Sequence, residues 1–334
     1  MAIDLAFIWA LLIAFSVFAY VVLDGFDLGI GILFPWIDRG QERDTAMNSV
    51  APVWDGNETW LVLGGGGLMA VFPLAYAIIL TALYVPVIAM LLGLILRGVA
   101  FEFRFKSENN KGVWDAAFFG GSLVAALSQG IMLGALVQGI AVEGRAYAGG
   151  WFDWLTPFSV MTAVALAIGY ALLGACWLIM KTEGELRQDA FRFAHTLAIG
   201  LLIAIGVVGL WTPFLEAQYF TRWLSWPSVL YVAPVPVVTL LVAWRLIASL
   251  AAQREREPFF ATLGLFLLCY VGLGISLYPN VVPPGISIWA AAAPDKSLGF
   301  LLIGAAVLVP IILAYTGYAY WVFRGKVDPH GGYH

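Results

Sequence analysis

The residues with chemistry to offer are mostly acidic, and they fall in three short stretches of otherwise apolar sequence. The first is Leu23-Asp24-Gly25-Phe26-Asp27-Leu28-Gly29. Two carboxyl groups three residues apart share one face of a helix. The second runs Asn48-Ser49-Val50-Ala51-Pro52-Val53-Trp54-Asp55-Gly56-Asn57-Glu58-Thr59-Trp60. Here Asp55 and Glu58 again share a face, near a helix N-terminus whose dipole favours carboxylates. Asn48 or Ser49 is expected to cap that helix, with Pro52 tolerated in its first turn. The third stretch carries Arg97, Glu102 and Arg104. An ionisable group at the centre of a bilayer costs roughly 2.5–3.5 kcal/mol on insertion scales, so each one inside a membrane span needs a reason. Asp24, Asp27, Asp55, Glu58 and Glu102 are candidates for a series of proton carriers, with Arg97 and Arg104 as their charge partners. Ordinary caps and interfacial salt bridges account equally well for Glu58 and Glu102.

Other chemistries find less support. The chain has three histidines, His195, His330 and His334, and the last two fall in a hydrophilic tail. A bis-imidazole haem needs two imidazoles on facing helices, so the chain is expected to bind no haem iron, no copper and no other metal by itself. Cys176 and Cys269 lie in separate apolar runs, without ligand spacing or a disulfide framework. No Walker loop, dinucleotide-binding turn or H-E-x-x-H occurs. Gly64-Gly65-Gly66-Gly67 sits inside an expected helix, where each glycine costs about 1 kcal/mol against alanine. Close helix packing is one explanation, a narrow passage or a cofactor against the backbone the other. Gly25 and Gly29 form a small-xxx-small pair that lets another helix approach.

These residues must be positioned by membrane helices. The chain is 62% hydrophobic and 11% charged, against about a quarter charged for soluble domains. Apolar runs long enough to span lie near 5–36, 50–72, 77–101, 116–142, 157–180, 192–215, 227–250, 258–278 and 298–323. At a rise of about 1.5 Å per residue, Asp24 lies almost 30 Å beyond Leu5, near the inner end of the first run. The first run lacks a preceding Lys or Arg and an A-x-A site, so it reads as a helix and not as a cleaved signal. With nine spans, fourteen of the seventeen Lys and Arg residues fall on one face. Positive-inside bias then puts the N-terminus outside and the C-terminus in the cytoplasm. Residues 1–334 read as one polytopic, all-α membrane domain, with no basic block to suggest nucleic acid.

The acidic blocks have a specific likeness. D-G-F-D at 24–27 followed by W-D-G-N at 54–57 and Trp60 resembles subunit II of the cytochrome bd-type quinol oxidases. The likeness continues through Arg97–Arg104, Lys181–Leu186, Tyr278-Pro279 and Val309–Thr316, and so covers nearly the whole chain in order. The short connections after the sixth and eighth runs resemble those of the short, cyanide-insensitive subgroup. The resemblance implies two four-helix bundles plus a peripheral helix in a bacterial cytoplasmic membrane. It implies an enzyme that oxidises membrane quinol and reduces O2 to water, drawing protons from the cytoplasm. Two haems b and one haem d are expected in a partner, subunit I, with room for a bound quinone and a small single-helix subunit. Asp27, Asp55 and Glu102 match acidic positions associated with proton delivery, and Trp60 an aromatic near the oxygen or quinone region. The rival reading is a stand-alone secondary transporter or ion channel using the same carboxylates. Against it, no inverted repeat is visible.

Overall fold

A computed structural model describes residues 4–107 and 109–328. His330 and His334 lie outside the described residues. Fourteen helices follow in order: α1 Leu5–Leu33, α2 Gln41–Asn48, α3 Trp54–Val71, α4 Pro73–Ala82, α5 Tyr84–Lys106, α6 Lys111–Gln138, α7 Pro157–Lys181, α8 Gly184–Trp211, α9 Ala217–Leu224, α10 Ser228–Val232, α11 Pro234–Ala251, α12 Glu257–Leu277, α13 Ile288–Ala291 and α14 Asp295–Val322. Two small hairpins, β1 Val142–Glu143 with β2 Ala146–Tyr147 and β3 Asn280–Val282 with β4 Ile286–Ser287, sit in the connections. Among the described residues eight segments are long and apolar enough to cross a membrane, or nine if the bent pair α3–α4 is counted as one span.

The helices begin and end for local reasons. Asp4 caps α1 by accepting from the Phe7 amide at 3.0 Å. That amide and the Trp289 indole hold the Asp4 carboxyl below the usual carboxylate range. Thr156 and Ser159 form a reciprocal capping box on α7, with Pro157 in its first turn. Gly139 ends α6 at φ +93°, a left-handed conformation that favours glycine.

Helices α1, α3, α5 and α6 pack together, and α7, α8, α11 and α12 form a second group. The two groups meet where α1 and α6 pack on α7. Helix α14 touches α1 and α3 from outside and is the least buried span, the peripheral helix expected. Gly25 and Gly29 do admit a neighbouring helix, and that helix is α7. A Cβ on Gly29 would lie 1.8 Å from the Tyr170 carbonyl oxygen and 2.9 Å from the Gly174 amide. The tetraglycine divides: Gly64 and Gly67 face Val17 and Ile13 of α1, while Cβ atoms on Gly65 and Gly66 would enter open space.

Two boundaries differ from the sequence reading. The expected span at 50–72 begins at Trp54; residues 49–53 are a turn that contains Pro52. Asn48 instead closes α2, the Ser49 hydroxyl donates back to Ala46 O at 2.7 Å, and Val53 starts α3 without a side-chain cap. The expected span at 77–101 is interrupted. Pro73 opens α4 at 119° to α3, and α5 starts afresh at Tyr84. Pro73 has no amide hydrogen to continue α3, and its ring disfavours helical backbone at Phe72. Hydropathy alone reads straight through such a corner.

Candidate functional site

Arg97 organises the site. It projects from α5, which packs closely on α6 because both contact positions are glycine. A Cβ on Gly121 would come within 2.8 Å of the Arg97 amide, and one on Gly93 within 2.7 Å of the Gly121 carbonyl oxygen. The Arg97 guanidinium is fully buried. Its Nη1 donates to Asp24 Oδ1 on α1 at 2.6 Å, and its Nη2 donates to Glu58 on α3. It lies 5.6 Å from the centre of the Trp54 ring, which stacks on Phe101. One cation thus ties α1, α3 and α5 together.

Asp27 lies one turn further along α1, also fully buried. Its Oδ2 accepts from Asn57 Nδ2 at 2.8 Å. Asn57 also donates to Leu23 O at 3.2 Å and accepts from the Tyr320 hydroxyl of α14 at 2.9 Å. The amide therefore joins α1, α3 and α14, and its orientation follows from having a partner on each side. From Asp24 the polar file continues inward. Tyr20 neighbours Asp24; its hydroxyl accepts from Gln129 Nε2 at 2.8 Å, and the Tyr170 hydroxyl donates to Gln129 Oε1 at 2.7 Å.

Two carboxyl groups therefore share one guanidinium, and a third, Asp27, lies one turn away with no cation of its own among the described residues. Asp24 Oδ2, Asp27 Oδ1 and Arg97 Nε are buried without hydrogen-bond partners among the described residues. A buried carboxylate without a counter-charge costs several kcal/mol. If all three acids were ionised, the group would be two positive charges short of neutrality. Protons can supply that charge. Glu58, with 27% of its side chain exposed, is the member that meets the surroundings.

Two of the five expected carboxylates stand apart. Asp55 is exposed on α3, one turn before Glu58. Glu102 is exposed on α5, paired with Lys106 at 3.3 Å. Asp27 and Asp55, on consecutive helices, do not meet: the Gly25/Gly29 face is taken by α7, and Asp55 is exposed. Three residues of spacing put two acids on one side of a helix, but not at one depth of burial.

Arg104 belongs to a second network. Its Nε donates to Asp115 Oδ1 and its Nη1 to Asp44 Oδ1, each at 2.5 Å. Arg43 reaches Asp115 at 2.6 Å, and Lys111 reaches Asp44 at 3.3 Å. Arg43 and Arg104 both lie 5.3 Å from the Phe34 ring. This cluster fastens α2 against the ends of α5 and α6. Trp60 is 1% exposed and packs edge-on against Phe15 at 5.6 Å. Phe15 in turn lines an apolar gap of about 20 Å³ between α1, α3 and α14, with Leu63 and Val309.

Asn57 is a site residue that the sequence reading did not single out, although a signal for it was present. It stands within the W-D-G-N block, one turn from Trp60 and Trp54, and is the uncharged polar residue between two acids. Asp44 and Asp115 gave no local signal, because each looks like a solvated helix end.

The sequence profile described as "Cytochrome bd terminal oxidase subunit II" matches residues 5–323. The chain is 31% identical over 361 positions to the "Cytochrome bd-I ubiquinol oxidase subunit 2" of Escherichia coli K12, covering 97% of this chain and 95% of that one. It is 28% identical to the "Cytochrome bd ubiquinol oxidase subunit 2" of Bacillus subtilis 168, covering 96% of each. In fold it matches a chain of the bd oxidase from Geobacillus thermodenitrificans, with a TM-score of 0.76 at 18% identity, covering 96% and 99%. These likenesses run the length of the chain and set aside a stand-alone transporter or channel: the chain belongs to the subunit II family of the cytochrome bd terminal oxidases.

Proposed function

We propose that this chain is the haem-free subunit of a quinol-oxidising, O2-reducing complex, and that it admits protons to that complex from the cytoplasm. The observation that carries the reading is the charge imbalance around Arg97. Asp24 and Glu58 both bond to a single guanidinium, and Asp27, one turn from Asp24 and as fully buried, has no cation of its own among the described residues. A purely structural ion pair would be balanced. In this reading Asp55, exposed on α3, collects protons at the surface, while Glu102, exposed on α5 and paired with Lys106, stands off that route. Glu58 receives them at the edge of the cluster, Arg97 holds Glu58 and Asp24 in register, and Asp24 and Asp27 are the buried carriers. Asn57 fixes the Asp27 carboxyl so that one oxygen stays free of hydrogen bonds.

The haems are assigned to a partner, subunit I. Among the described residues His195 is the one imidazole, half-buried on α8. That donor set does not fit a bis-imidazole haem, and no step here passes through one. Trp60 is assigned to the wall of an apolar path for O2 or the quinone ring beside Phe15. The Lys and Arg distribution supports an N-terminus outside and an Asp24–Arg97 end at the cytoplasm.

The test is turnover per haem d in the purified complex. Asp27→Asn keeps size and hydrogen bonding but cannot change charge. It should leave assembly and haem content intact and slow quinol-driven O2 consumption about tenfold, roughly 1.4 kcal/mol of barrier. Asp55→Asn should act in the same direction. Full turnover per haem in Asp27→Asn would return Asp27 to a structural role.

A further inference from the structure

At the end of the molecule opposite the acidic cluster, α9, α10 and the last turns of α12 border an open cavity of about 570 Å³. Its lining includes Arg222, Ser228, Tyr231, Val271, Gly274 and Tyr278. We propose that this cavity binds the headgroup and upper acyl chain of an anionic phospholipid, with Arg222 as the anion ligand.

Arg222 is held by backbone carbonyls and not by a carboxylate. None of the ion pairs among the described residues includes it. Glu216, six residues earlier, lies instead against Gly139. Its Nη1 donates to the carbonyl oxygens of Ile275, Ser276 and Tyr278, at the C-terminal end of α12. Those oxygens are the negative end of the helix, and they are turned onto Nη1. The guanidinium is thereby fixed in place, while Nε and Nη2 keep three N–H donors outside that set. A planar fork with spare donors suits a phosphate oxygen pair. Ser228, Tyr231 and Tyr278 add hydroxyl groups around the mouth, and Val271 and Val232 give an apolar wall.

The depth is also right for a headgroup. Helix α9 is short and sided, with Phe220 and Leu224 exposed, and Trp226, Leu230 and Tyr231 are exposed just after it. Exposed Trp and Tyr of this kind mark the lipid–water interface. A lipid whose phosphate met Arg222 would therefore lay its chains along α11 and α12, into the hydrocarbon layer.

The experiment uses the whole complex, stripped of lipid with detergent and reloaded with dioleoyl phosphatidylglycerol or dioleoyl phosphatidylcholine, with bound lipid counted by native mass spectrometry. The wild type should retain one phosphatidylglycerol in preference to phosphatidylcholine. Arg222→Gln should lower phosphatidylglycerol affinity about fivefold, the factor for one basic side chain at a membrane surface. Arg222→Gln also loses the contacts to α12, so a second variant is needed. Gly274→Phe fills the cavity from a position where a Cβ meets nothing within 4 Å, leaves Arg222 in place, and should abolish retention. Equal binding of the two lipids, or unchanged retention in Gly274→Phe, would overturn the proposal. So would inorganic phosphate binding as tightly as the lipid, or a photocrosslinker at position 231 capturing subunit I instead of lipid.

Discussion

Removing the Arg97 charge should destabilise the assembled protein mainly through Asp24. In Arg97→Met, Glu58 is partly exposed and can turn to water, whereas Asp24 is fully buried and its one ion-pair partner is Arg97. Breaking a buried pair by deleting one partner costs about 3–5 kcal/mol, because the other charge is left uncompensated. An upper bound comes from the alternative of neutralising the orphan. Protonating a carboxylate of ordinary pKa, about 3.9, takes about 4 kcal/mol at pH 7, at 1.36 kcal/mol per pH unit. The two figures agree, so Arg97→Met should lose about 4 kcal/mol. The double variant Arg97→Met/Asp24→Asn removes the orphan charge and should recover most of that loss. The assay is the yield of intact complex and its unfolding midpoint in detergent for wild type, both single variants and the double. A double variant no more stable than Arg97→Met would refute charge compensation as the role of Arg97, and would leave its packing on Trp54 as the explanation.

Gly29→Leu should fail to assemble, because its Cβ would meet the α7 backbone at 1.8 Å; overpacking of this kind costs about 1–3 kcal/mol or more. Gly65→Ala, with nothing within 4 Å, should leave the unfolding midpoint unchanged or raise it, by up to about 1 kcal/mol of helix propensity. His195→Ala should retain every haem signal in the absorbance spectrum of the purified complex; loss of one haem with the subunits intact would show that this chain supplies a ligand. A single cysteine at position 145 should react with an impermeant thiol reagent added to intact cells, and one at position 106 should not; the reverse pattern would invert the membrane orientation.

The helical, multi-span fold was legible because lipid leaves so few choices. Backbone groups in hydrocarbon must bond within their own segment, so an apolar run such as 157–180 can hardly be anything but a helix. The corner at Pro73 was not legible by hydropathy, since residues 73–82 are as apolar as a span yet too few to make one. The site was half legible. Asp24, Asp27 and Glu58 were found by spacing, and Arg97 as a charge partner. What spacing could not separate was Asp55 from Glu58. Three residues apart on α3, they were read as sharing one face, yet Asp55 is exposed while Glu58 reaches Arg97. Nor could spacing show that Arg97 and Arg104 serve different acids, since that depends on α2 folding back to deliver Asp44.

The two networks together constrain how a proton could enter. Arg97 and Arg104 stand seven residues apart on α5, two turns or about 10 Å along one face. The outer network sets three cations, Arg43, Arg104 and Lys111, against two carboxylates, Asp44 and Asp115. The inner one sets one cation against three carboxyl groups. A net positive collar two turns from an acid-rich pocket disfavours protons arriving along α5 and α6. The side left open is that of α3, where Glu58 is partly exposed and Asp55 stands one turn further out. Under the proposed proton-admitting role, entry to the buried aspartates is expected along α3, with the arginine collar disfavouring the α5–α6 side.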